Sequence, residues 1–99
     1  MIKIITTSSE IPIQGLCVLD CYTKWCGPCK KIAPEIETLA EQYKNTITFL
    51  KTDMDDTEVD FDISSLPTFL FFCEGKLFST VVGANLDKIK KNIIKLLRK

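Results

Sequence analysis

The hexapeptide Trp25-Cys26-Gly27-Pro28-Cys29-Lys30 places two thiols three positions apart, directly after an apolar run. Residues at i and i+3 of a helix share a face, and one turn holds their Cα atoms near the ~5.5 Å that an unstrained disulfide prefers. Such a pair opens and closes without backbone rearrangement, as a reversible dithiol must. At a helix start, Cys26 meets unpaired N–H groups and the positive end of the dipole, and both favour thiolate over thiol. The rate gain from that alone is small. Lowering a thiol pKa from ~8.5 to ~7 raises the thiolate fraction at pH 7 about fifteenfold, and a nucleophilicity slope of about 0.45 takes back roughly fivefold. The larger contributions are leaving-group ability when Cys26 is expelled, and proximity, because Cys29 attacks a mixed disulfide within the same molecule. Pro28 suits a first helical turn, where its missing N–H costs nothing, and Gly27 lets a substrate backbone come close.

Two metal readings compete for the same thiols. A zinc knuckle needs a second ligand pair, and Cys17 with Cys21 is the local offer. They stand four apart on an expected buried strand with Leu19 on the same face, poor geometry for a closed tetrahedral site. Cys21, Cys26 and Cys29 also read C-x4-C-x2-C with Cys73 as a distant fourth, the plant-type iron-sulfur spacing. Those ligands normally sit on an irregular loop, whereas here Cys21 ends a hydrophobic strand and Cys29 enters an amphipathic helix. No metal is expected.

The chain of 99 residues is expected to form one domain over residues 1–99, which buries roughly 60 to 70% of the surface its unfolded form exposes and so folds without structural disulfides. Its five cysteines are an odd number and cluster rather than frame the chain, so pairing for stability is the weaker reading. Histidine is absent, which excludes Cys/His nucleophile pairs, mixed Cys/His zinc sites and haem attachment through C-x-x-C-H. Thirteen basic residues balance thirteen acidic ones, so no global field recruits nucleic acid or an anionic membrane. The apolar stretch at the N-terminus is too short for the core of a secretory signal, and no later run spans a bilayer. A soluble protein of a reducing compartment, the cytoplasm, is expected.

Strand signals fall at residues 2–6, 16–22, 46–52, 67–73 and 77–82, each short and rich in β-branched or aromatic residues. The second and fourth are nearly all apolar and suit central strands covered on both faces. Glu74-Gly75 joins the last two as a tight antiparallel hairpin. A helix is expected over residues 26–43, with Ile32, Ile36, Leu39, Ala40 and Tyr43 on one stripe and Pro34 kinking it without ending it. A second follows Asn85 as N-cap, with Leu86, Ile89, Ile93, Leu96 and Leu97 on its core face. Residues 7–15 leave little room for a helix between the first two strands, and residues 54–66 allow a short one at most.

Leu19-Asp20-Cys21-Tyr22 ahead of the Trp25 to Lys30 string, followed by Pro34, Leu66-Pro67-Thr68 and Val82-Gly83-Ala84, resembles the thioredoxin family over nearly the whole chain. The W-C-G-P-C-K string is highly specific. The resemblance implies an α/β thioredoxin fold: a central mixed sheet of four to five strands with helices on both faces, the first helix here curtailed. It implies no bound cofactor, with reducing equivalents drawn from NADPH through a thioredoxin reductase.

Carried over by position, Cys26 is the attacking thiolate and Cys29 the resolving thiol. Asp20 is a buried acid beneath them that helps deprotonate Cys29, a role that makes sense because burial raises a carboxyl pKa toward neutrality. Lys51 matches a family lysine that pairs with the acid. Pro67 matches the family's cis-proline, with the Leu66 backbone pairing to a bound substrate strand. Trp25, Gly27, Pro28, Leu66, Gly83 and Ala84 then form a flat apolar platform for substrate proteins. The chain departs from the family pattern in its curtailed first helix, in a short segment before Pro67 and in Cys21 at an often aromatic position. These bear on partner choice and leave the reaction centre untouched.

Cys17 and Cys21 read as small core residues, and Cys73, near a turn, as a candidate surface thiol. Lys88, Lys90, Lys91, Lys95, Arg98 and Lys99 read as a solvated face, favourable near a helix C-terminus. The expected activity is protein-disulfide reduction by a monomer whose partners are disulfide-containing proteins and a thioredoxin reductase, with no nucleic acid or membrane partner. The alternative from another class is a module that clamps a partner on the same platform, with redox cycling incidental. An oxidase or isomerase of this fold is set apart by its potential, and the Gly27-Pro28 dipeptide resembles that of reductases.

Overall fold

The computed structural model describes residues 2–99. The chain runs as β1 (Lys3–Ile4), a 3-10 turn (Ser8–Glu10), β2 (Leu16–Tyr22), α1 (Gly27–Gln42), β3 (Ile47–Asp53), β4 (Thr68–Cys73), β5 (Lys76–Val82) and α2 (Leu86–Leu97). The strands lie in the order β1-β3-β2-β4-β5. β1, β3 and β2 are parallel, while β4 is antiparallel to both β2 and β5. The apolar run Leu16–Tyr22 takes the central position because its side chains on both faces find cover.

Expected boundaries hold to within a residue for β2 to β5. β4 starts at Thr68 rather than Pro67, which has no N–H to give to a ladder. β1 is the exception: it shrinks to two residues at the sheet edge, paired only through Lys3 with Leu50 and Ile4 with Lys51. The β4–β5 connection is the tight hairpin expected, with both Glu74 (φ 51°) and Gly75 (φ 78°) in the left-handed region that a two-residue turn requires. A side chain at position 75 would also meet Ile13 Cα at 3.1 Å.

Both α-helices cover one face. Ile32, Ile36, Leu39 and Ala40 of α1 and Ile89, Ile93 and Leu96 of α2 pack on Val18, Phe49, Phe69 and Phe71 of the sheet. Leu97, expected on that face, is 37% exposed, because one residue past Leu96 turns about 100° around the helix. The other face carries the 3-10 turn and the non-helical segment of residues 54–66, so the helical cover implied for both faces is confined to a single turn here. Ile11, Val59, Phe61 and Ile63 seal Cys17, Leu19, Cys21, Leu50, Leu70 and Phe72 on that side. This sheet alternation decides the site: Val18 faces α1, and Asp20, two residues on, points the same way.

Candidate active site

β2 ends at Tyr22, and the chain turns through Thr23 to Trp25 before α1 starts at Gly27. The Cys26 N–H donates to the Thr23 carbonyl at 3.3 Å, which ties the turn to the helix start. Cys26 is the N-cap of α1, and its Sγ accepts the Cys29 N–H at 3.2 Å, so one orphan donor of the first turn is spent on sulfur. Pro28 sits in the first turn, where no N–H is missed. Cys26 and Cys29 are disulfide-bonded with Cα atoms 5.3 Å apart. Both are buried in this oxidised state, at 6% exposure each.

Asp20 is also buried, and its Oδ1 has no hydrogen-bond partner. Burial pushes its pKa from 3.8 up to about 7, and the Lys51 charge pulls against that rise. Lys51 is the register neighbour of Asp20 across β2 and β3, yet no ion pair joins them among the described residues. Its ammonium instead lies 5.5 Å from the centroid of the Tyr22 ring. Asp20, Thr23, Cys29 and Lys51 all line one pocket of about 290 Å³, so the acid, the lysine and one sulfur are brought together.

The remaining expected site residues fall into two sets. The Leu66–Pro67 peptide bond is cis, and the Pro67 carbonyl accepts the Gly83 N–H at 2.7 Å. Pro28 and Ala84 line a shared groove of about 620 Å³ with Ile32 and Leu86. Trp25 lies outside that groove. Trp25 is 71% exposed, and its Nε1 donates to Asp55 Oδ2 at 2.8 Å. Asp55 was not legible as a site residue, since its link to Trp25 spans 30 positions of sequence.

The other cysteines stand apart. Cys17 and Cys21 are free thiols in the far-face core, where burial pushes both pKa values up to about 12. Cys21 therefore faces away from the Cys26–Cys29 pair, and the four thiols of the iron-sulfur reading do not converge. Cys73 is free and half-buried beside Lys76 and Lys99. Among the described residues, no helix is long and apolar enough to cross a membrane.

A mixed α/β sheet that presents a disulfide-forming Cys-x-x-Cys pair at a helix N-terminus, beside a buried carboxyl, defines a thiol–disulfide oxidoreductase. The comparisons agree. Residues 6–95 match the family profile described as Thioredoxin. The chain is 46% identical over 88 residues to Thioredoxin-1 of Saccharomyces cerevisiae, covering 86% of this chain and 84% of that one. It is 42% identical over 79 residues to Thioredoxin-T of Drosophila melanogaster, covering 77% of this chain and 50% of that relative, whose length it thus half spans. The solved structure of Plasmodium falciparum thioredoxin superposes with a TM-score of 0.84 at 35% identity, covering 95% and 98% of the two chains. The chain belongs to the thioredoxin family, and its activity is that of a protein-disulfide reductase.

Proposed function

We propose that each cycle begins with the Cys26 thiolate attacking a substrate disulfide. One S–S bond breaks, a substrate thiolate leaves, and a Cys26–substrate mixed disulfide forms. Asp20, ionised, takes the proton of Cys29. The Cys29 thiolate then attacks Cys26 Sγ, the Cys26–Cys29 bond forms, and the second substrate thiolate departs. Two electrons pass from the pair to the substrate. The observation that carries this order is the placement of Cys26 Sγ as acceptor of the Cys29 N–H at the start of α1, while Cys29 shares its pocket with Asp20.

Substrate proteins dock on the surface made by Trp25, Gly27, Pro28, Leu66, Gly83 and Ala84, with the Leu66 backbone beside cis-Pro67 pairing to the substrate strand. The common groove of Pro28 and Ala84 supports this. Lys51 moderates the Asp20 charge from the next strand. The enzyme works as a one-domain cytoplasmic monomer and is returned to the dithiol by a thioredoxin reductase drawing on NADPH. The reaction order is tested by replacing Cys29 with serine. Cys29→Ser accumulates covalent substrate adducts through Cys26, read on non-reducing gels, whereas adducts through position 29 in a Cys26→Ser protein would reverse the assignment.

A further inference from the structure

Residues 88–99 hold six cations and no acid, while residues 54–66 hold five acids and no base. The fold sets the two stretches on opposite faces of the sheet, α2 beside α1 on one and residues 54–66 on the other. A chain of zero net charge is therefore strongly basic along one helix. The helix dipole accounts for a cation in the last turn, such as Lys95, but not for Lys90 and Lys91 in the middle of α2. At about 100° per residue, Lys90, Lys91, Ile94, Leu97 and Arg98 share an arc of about 120°, turned away from the buried Ile89, Ile93 and Leu96. Ile94 is 47% exposed and Leu97 37%. None of the three cations on this arc is in an ion pair among the described residues, where Lys44 pairs with Glu41.

We infer that this face of α2 is a secondary docking site for substrate proteins that carry an acidic segment beside the attacked disulfide. The inference rests on the reading that substrates dock at the Pro28–Ala84 groove. Leu86, the first residue of α2, lines that same groove, so the basic face continues from the docking surface. Ile94 lies ~12 Å further along the helix, a distance that an extended chain covers in about four residues. Carboxylates of such a segment meet Lys90, Lys91 and Arg98, and its apolar side chains cover Ile94 and Leu97. A flat anionic lipid surface fits this layer poorly, because α1 lies beside α2 and exposes Glu35, Glu37 and Glu41. A narrow acidic strand running along α2 avoids them. Each exposed pair adds little by itself, and their joint field acts on encounter rate and on the choice among substrates.

The test uses disulfide-linked peptides with one common sequence around the cysteine, extended beyond a spacer of about four residues by a run of glutamate, lysine or serine, on either side of the cysteine. At low ionic strength the reduced protein is expected to react about tenfold faster with the glutamate-tailed peptide than with the serine-tailed one, and no faster with the lysine-tailed one. The advantage disappears at high salt. Lys90→Glu/Lys91→Glu leaves the serine-tailed rate unchanged and moves the preference to the lysine tail. Equal rates for the three tails in both placements overturn the inference, as does a glutamate preference that Lys90→Glu/Lys91→Glu leaves intact. Equal tail rates together with sedimentation of the parent on phosphatidylserine vesicles assign the face to a lipid surface instead. Ala84→Trp, which fills the groove, reports on groove docking itself: an unchanged serine-tailed rate there sinks the groove reading, whereas a slowed one beside equal tail rates removes only the site on α2.

Discussion

The buried Asp20 carboxyl ties stability to pH through a single side chain. In the unfolded chain its carboxyl ionises at the ordinary value of 3.8, and in the fold burial holds it protonated to about 7. Between those values the native state keeps a proton that the unfolded state releases, so stability falls as pH rises through that window and is flat above it. The span corresponds to at most about 4 kcal/mol. Asp20→Asn removes the titration. Urea unfolding of the oxidised variant is expected to match the parent near pH 4 and to exceed it above pH 7 by a few kcal/mol, and a parent whose stability does not drop over this range contradicts the buried ionisation. The two cysteines were legible in the sequence because a Cys-x-x-Cys string is a local signal, whereas Asp20 was reached only through the resemblance to the thioredoxin family. Asp55 was not legible, because its contact with Trp25 is made only by the folded chain.

At the level of elements, α2 illustrates how a local pattern carries over. Asn85 Oδ1 accepts the Lys88 N–H at 3.1 Å, and Ile89, Ile93 and Leu96 repeat at the i, i+4, i+7 spacing that the core demands. Asn85→Ala leaves the Lys88 N–H unpaired and is expected to cost about 1 kcal/mol. The check is a lower urea midpoint with an unchanged slope, since the loss of a cap alters stability and not the surface exposed on unfolding. β2, β4 and α1 were equally readable, being long apolar or strictly periodic segments. β1 was not, because an edge strand with one partner ends where that partner's pairing ends. The cover of the far face was beyond sequence reading too. Residues 54–66 mix acidic positions with isolated Val59, Phe61 and Ile63, which satisfy the core without any helical period.

The whole molecule decides whether the dithiol reduces or oxidises, because folding and redox share one thermodynamic cycle. Cross-linking Cys26 to Cys29, three positions apart, restrains the unfolded chain by about 2 kcal/mol in the chain-entropy view. The native backbone already holds the Cα atoms 5.3 Å apart, so the fold gives up little to close the bond. Against this stands the stabilisation of the reduced state by the helix start, which favours the Cys26 thiolate. Loop closure is expected to be the larger effect. The oxidised protein is then more stable than the reduced by up to about 2 kcal/mol, which makes the folded pair up to about 40 mV more reducing than the same cysteines in the unfolded chain. Paired urea melts of the two forms at pH 7 give the difference directly, and equilibration with a glutathione buffer gives the potential. A reduced form more stable than the oxidised one would mean that the helix start dominates, and would make this chain an oxidant carried on a reductase's fold.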